Sequence, residues 1–213
     1  MNIANKERIV FISVFLIVTA IFIYAEEKPD ALELYKQGNY SEAVKVCRAE
    51  LKEMPNRMDS YTVLGWSLIG MKQYKEALSA ALEGLKVSRY DNRVIEIAGE
   101  ALFYLGRTKE ALKYFEEYTA LAPTGARIEK VYYFLGECFI LLKEYNNADI
   151  SLSTALYLLP NIASWWARLG YAREMAKDYK WSLDAYEKAL KLNPTLSEAV
   201  AGKSRVQRKL QGG

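Results

Sequence analysis

The stretch Trp165–Pro194, WWARLGYAREMAKDYKWSLDAYEKALKLNP, reads as two amphipathic helices joined by a short polar turn. Leu169-Gly170 falls near the middle of the first helix. Gly costs about 1 kcal/mol relative to Ala in a helix interior, so its presence points to a neighbouring helix that must come close. Trp166, one turn earlier, supplies bulk on the same face. Asp178 stands where a helix N-cap is expected. Tyr179, Leu183, Tyr186 and Leu190 then recur at three- and four-residue steps, the period of a helix rather than a strand. Ala189 is small where the next helix pair packs. Asn193-Pro194 closes the segment, because Pro has no N–H and disfavours helix in the residue before it.

The pattern recurs upstream. Gly65, Gly99, Gly136 and Gly170 are spaced 34, 37 and 34 residues apart. The same series runs through Ala43, Ala77, Ala111, Ala148 and Ser182, and through Pro55, Arg89, Pro123, Pro160 and Pro194. Tyr40, Tyr74, Tyr145 and Tyr179 form another column, with Thr108 as its exception. On these columns, residues 58–194 resemble the tetratricopeptide repeat family, whose period is a 34-residue helix–turn–helix. The clearest matches are Tyr61-Leu64-Gly65…Ala77, Leu135-Gly136-Glu137…Ala148…Pro160 and Trp166-Leu169-Gly170…Pro194. Arg89 in place of the terminal Pro, Ser182 in place of Ala and three extra residues near Gly125–Ile128 depart from the pattern.

The resemblance implies an all-α, right-handed helical-hairpin solenoid with four full repeats, one partial repeat and a C-terminal capping helix. Residues 26–57 hold a linker and the partial first repeat, in which Pro29-Asp30 opens a helix of about two turns. Repeats two to five occupy 58–91, 92–125, 126–162 and 163–196, the fourth carrying the insertion. The insertion should alter the angle between repeats three and four or lengthen the first helix of repeat four. Residues 197–213 form the cap and tail; Ala199, Val206 and Leu210 share a face that can cover the last repeat, while Lys203, Arg205, Arg208 and Lys209 keep the rest soluble.

Residues 1–25 have the three-part layout of an export signal: Lys6 and Arg8, an uncharged apolar run from Ile9 to Tyr24, then Ala25 before Glu26-Glu27. They read as a cleaved signal peptide or an N-terminal membrane anchor, with residues 9–24 in the membrane. Either reading puts the repeats on the extracytoplasmic, periplasmic side of a cell envelope.

Composition removes several function classes. The net charge is +3 with dispersed basic residues, which gives no nucleic-acid footprint. The chain has no His, so it has no Ser-His-Asp or Cys-His arrangement and no His metal ligand. Gly65–Gly70 falls inside a helix and lacks the Gly-Lys-Ser/Thr ending of a phosphate loop. Glu116-Glu117 and Glu26-Glu27 read as solvated charge, and Asn39-Tyr40-Ser41 as a turn and helix start rather than a glycosylation acceptor. Cys47 and Cys138, about three repeats apart, lie beyond disulfide reach and read as small apolar fillers. Neither an enzyme nor a cofactor is expected.

A helical solenoid offers an extended concave surface for binding. In the family resembled, the first helix of each pair lines it. Helical spacing then selects Thr62, Trp66 and Ile69; Glu96, Glu100 and Phe103; Tyr133, Glu137 and Ile140; and Ala167, Tyr171 and Glu174. This mixture predicts an acidic-aromatic groove, with Glu100 and Glu137 exposed, that accepts a protein or peptide segment carrying apolar and basic residues. Mutual packing of Trp66, Phe103 and Tyr133 across neighbouring helices explains those three equally well. Family members that grip the carboxylate end of chaperone tails use Lys, Arg and Asn where this chain has Thr62, Trp66, Glu96 and Glu100, so that ligand class is not expected. The alternatives are a carrier of a small hydrophobic ligand, which needs a closed pocket near Trp66, Phe103 and Tyr133, and a self-associating structural subunit.

Overall fold

The computed structural model describes residues 29–212; the expected signal or anchor at 1–25 lies outside them. Among the described residues the chain forms eleven helices and no strand. They are α1 (Ala31–Lys36), α2 (Tyr40–Glu53), α3 (Met58–Gly70), α4 (Tyr74–Val87), α5 (Asn92–Tyr104), α6 (Thr108–Leu121), α7 (Ile128–Leu141), α8 (Tyr145–Leu158), α9 (Ala163–Met175), α10 (Tyr179–Leu192) and α11 (Ser197–Gln211). Odd-numbered helices are the first members of each hairpin and even-numbered ones the second. No helix among the described residues is long and apolar enough to cross a membrane.

The contact pattern produces curvature. Every helix packs on its neighbours in sequence, and each odd-numbered helix also touches the next odd-numbered one. No even-numbered helix backbone packs closely on another; α2 and α4 meet through the Arg48–Glu76 ion pair at 2.6 Å. The odd helices are therefore drawn together on the concave side and the even helices splay apart on the convex side.

The sequence columns become packing layers. Ala43, Ala77, Ala111, Ala148 and Ser182 are all completely buried. Ser182 keeps its polar group in that layer by donating its hydroxyl to the Gly170 carbonyl at 2.7 Å. The close approach inferred at Gly170 is real: a Cβ there would lie 2.8 Å from the Tyr186 ring. Cys47 and Cys138 are buried and unbonded, and burial pushes both thiols up to about 12.

The turn inside each hairpin holds a fifth column that residue type alone hides. Gly38, Lys72, Gly106, Lys143 and Lys177 all have positive φ. Each follows the end of an odd helix and closes the same two-bond stop. At the second turn Lys72 N–H donates to Ile69 and Gln73 N–H to Leu68; at the last Lys177 donates to Glu174 and Asp178 to Arg173. This explains a correction. Asp178 does precede α10, but its side chain makes no cap bond, because its backbone is committed to ending α9. Asp91 caps instead, accepting from the Arg93 amide at 3.0 Å.

The insertion lengthens α7 by one residue relative to α3, α5 and α9, to 14 residues. Its remaining residues form the loop that ends in Arg127. In the cap, Ala199 and Val206 are fully buried as expected, but Leu210 is exposed, and Gly202 takes the third contact beneath Tyr186. Two of the four cap cations form ion pairs, Lys203 with Glu187 and Arg205 with Glu174, and Arg208 donates to the Ser204 carbonyl at 3.3 Å.

A non-glycine residue in the left-handed region costs roughly 1–2 kcal/mol, and Gly returns part of that gain as lost chain entropy. Lys72→Gly, Lys143→Gly and Lys177→Gly should each stabilise the fold by about 0.5–1 kcal/mol in urea titration. A loss of stability would show that the Lys side chains support the turns.

Candidate functional site

The stripe selected from the sequence does lie on the odd helices, but its chemistry differs from expectation. Thr62 is buried and donates its hydroxyl to the Met58 carbonyl within its own helix. Glu96, Glu100 and Glu137 are only 0%, 3% and 9% exposed. The expected exposure of Glu100 and Glu137 is thus corrected. Successive odd helices approach so closely that residues at these positions face the next repeat rather than water.

Each carboxylate meets a cation from one repeat further on. Glu137 is gripped by both arms of Arg168, at 2.6 and 2.9 Å. Glu174 is held the same way by Arg205, at 2.7 and 2.8 Å, and accepts from the Tyr186 hydroxyl at 2.7 Å. Glu100 accepts from Lys130 at 2.8 and 3.0 Å, and Arg127 lies 3.5 Å away. Glu96 accepts from Trp66 Nε1 at 3.1 Å on one oxygen and faces Arg127 at 3.0 Å with the other. That last contact is ionic rather than an aligned hydrogen bond, because Glu96 Oε1 and Arg127 Nε are buried without hydrogen-bond partners. Four carboxylates and four cations therefore pair along the concave side, and the stripe is charge-paired rather than simply acidic.

The aromatics also pack on one another. Trp66 stacks on Tyr35 at 5.7 Å, with the Arg127 guanidinium 5.2 Å from its ring. Phe103 meets Phe134 edge-on at 5.1 Å. Tyr133 stacks on Trp165 at 4.7 Å, and Arg168 lies over Tyr171 at 5.2 Å. Trp66, Ile69, Phe103, Tyr133 and Tyr171 each stay half-buried, whereas Ile140 is buried. At the C-terminal end the stripe opens into a cavity of about 220 Å³ lined by Ala167, Arg168, Tyr171, Tyr186, Glu198, Ala201 and Arg205. Burial, and then the Glu137 carboxylate, push the Tyr133 phenol well above its usual value.

The cations were missed because each was read within its own repeat. Arg127 lies in the insertion, where no repeat column assigns it a place. A buried pair of carboxylates demands cations nearby, but burial itself was not visible in the helical spacing.

Glu100 carries a measurable consequence. Burial, then repulsion from Glu96, push its carboxyl up to about 7 against the pull of Lys130. A carboxyl raised in the folded state favours folding fully below its unfolded value near 4.5, and that contribution is lost as pH rises to about 7. With no His in the chain, no ordinary side chain titrates across this window. Raising the pH from 6 to 8 should lower stability by about 1 kcal/mol, or Tm by roughly 2–4 °C. Glu100→Gln should flatten the dependence, and an unchanged slope in that variant would assign it elsewhere.

With the geometry in place, comparisons with known proteins supply the family. Three tetratricopeptide repeat family models match residues 31–132, 129–162 and 163–196. The chain is 27% identical over 137 residues to the BBSome complex member BBS4 homolog of Drosophila melanogaster; the match covers 59% of this chain and 27% of that protein, about a quarter of its length. Among solved structures, MamA from Desulfovibrio magneticus RS-1 superposes with TM-score 0.67 at 19% identity, covering 78% of this chain and 93% of that one. YrrB gives TM-score 0.67 at 18% identity over 88% and 97%. PilF of Pseudomonas aeruginosa gives 0.73 at 18% over 85% and 81%. These likenesses are in fold, and they agree with the hairpin stacking seen here. From Ala31 to Leu196 the chain is a continuous run of such hairpins, and it belongs to the tetratricopeptide repeat family.

Proposed function

We propose that the protein is a non-catalytic scaffold that holds a partner protein segment along the concave face of its odd-numbered helices. The observation that carries this is the open cavity of about 220 Å³ beside Tyr171, at the end of a line of half-buried apolar side chains from Ile69 through Phe103 and Tyr133. Because the four stripe carboxylates Glu96, Glu100, Glu137 and Glu174 already have their cations, the stripe selects by shape and apolar contact more than by net charge. An extended or short helical segment with apolar anchors fits such a surface. YrrB, one of the similar folds, is described as a tetratricopeptide repeat protein with an unusual peptide-binding site, which supports the same use here. The basic-then-apolar layout of residues 1–25 supports an extracytoplasmic setting, so the partner belongs to the cell envelope in this reading.

Blocking the cavity tests the proposal without substituting any member of the ion pairs. Ala201 is exposed and lines it, so Ala201→Trp should fill the space and leave circular dichroism and Tm unchanged. In pull-downs from native membranes and the exported fraction, the wild type should recover a partner that the variant loses at least about tenfold, equivalent to about 1.4 kcal/mol. Equal recovery by both would move the partner off the concave face. Retention of a partner by the repeats expressed without export would count against the envelope setting.

A further inference from the structure

The convex side differs from repeat to repeat in a way the concave groove does not explain. The outward positions of the even helices form columns. One runs Glu42, Glu76, Glu110 and then Asn147; another Lys45, Ser79, Lys113 and then Ile150. A third runs Ala49, Glu83, Glu117 and then Thr154, and a fourth Lys52, Lys86, Ala120 and then Tyr157. In α8 every one of these positions has lost its charge. The helix retains one charged residue, Asp149, which is turned inward to Arg173 at 2.9 Å. What replaces the charges is apolar and open: Ile150 is 67% exposed and Tyr157 87%. These two side chains lie seven residues apart on one face, about 10.5 Å along the axis.

Beside this face, α8 and α10 splay apart over α9 and leave a slot of about 280 Å³. Leu156 and Tyr157 form one wall, Trp181 the other, and Trp166 and Leu169 the floor. Trp181 is 61% exposed and stands where the first three repeats carry Glu and the fourth Asn147. The charged groups at the rim are already paired, Lys188 with Asp184 and Arg173 with Asp149.

We infer that the outer face of α8, with the slot beside it, is the surface on which a second copy of this chain docks across a twofold axis. Charge selects this occupant. In a twofold contact each surface patch meets itself, so a face such as that of α4 or α6 would bring like charges together near the axis. The outer face of α8 meets its copy without that cost. The spacing is self-complementary as well. With α8 antiparallel to its copy and the axis at Thr154, Ile150 of each copy falls opposite Leu158 of the other, next to Tyr157, at the mouth of the slot. This surface is convex and leaves the concave groove free, so it would present two grooves on one dimer.

The test uses the full-length chain in mild detergent. Sedimentation velocity across micromolar concentrations should show a dimer that dissociates to monomer on dilution. Ile150→Lys combined with Tyr157→Lys should weaken it at least about tenfold, with circular dichroism unchanged because both side chains are exposed. Thr154→Cys places a thiol on the axis. It should form a disulfide-linked dimer under mild oxidation, while Ser79→Cys, on the outer face of α4, should not. Cys47 and Cys138 are buried and do not interfere. A wild-type monomer, a dimer that survives the double substitution, or absence of the Thr154→Cys cross-link overturns the inference. Association through the leader segment would appear as the second of these, and docking of an unrelated protein as the first.

Discussion

Everything in this fold depends on how closely successive odd-numbered helices approach one another. That contact draws one side of the array together, opens the other and so creates a groove. Residues without bulk let the hairpins beneath it close: a Cβ at Gly99, Gly136 or Gly170 would strike Phe115, Leu152 or Tyr186 of the even helix in its own hairpin, and one at Gly65 would strike Ile97 of the next odd helix. The contact between odd helices also closes the groove positions to water. A carboxylate placed there is held by the next repeat or destabilises the fold, since an isolated buried charge is far too costly. Glu96, Glu100, Glu137 and Glu174 are all held in this way.

The ion pairs therefore serve register as much as attraction. Arg168 and Arg205 each reach back to a Glu 31 residues earlier, and both pairs are two-pronged, which fixes direction as well as distance. At the irregular joint the three-residue insertion breaks the column, and the same job passes to Arg127 and Lys130. Those two meet two carboxylates in a confined space. The cluster holds one cation per anion, yet burial, and then the neighbouring Glu96, still push the Glu100 carboxyl up. A joint built this way is a more specific connection than an apolar one, since a register slip would strand a charge.

The architecture was legible because it rests on residues that act through size. Four columns in a common register implied the hairpins, and the small residues in them are where helices touch. Turn geometry was half legible: Gly38 and Gly106 carry the expected residue for positive φ, but Lys72, Lys143 and Lys177 adopt it without a sequence mark. The candidate groove was legible in position and not in state. Helical spacing assigns a face, but whether that face sees solvent depends on the next repeat, which spacing within one helix does not contain. The charge loss on α8 was present in the aligned columns from the start. It acquires meaning only when Ile150 and Tyr157 are seen to be open and flanked by a slot.

The claim that carries most weight is that the concave carboxylates act as clamps between repeats. A double-mutant cycle on Glu137 and Arg168, with Glu137→Gln, Arg168→Met and the double variant compared by urea denaturation, tests it most directly. The account predicts a coupling energy of at least about 1 kcal/mol, with the double variant more stable than the sum of the single losses implies, because neither partner is left buried and alone. Additive effects would mean that the two side chains do not depend on each other, and the clamp would be no more than proximity.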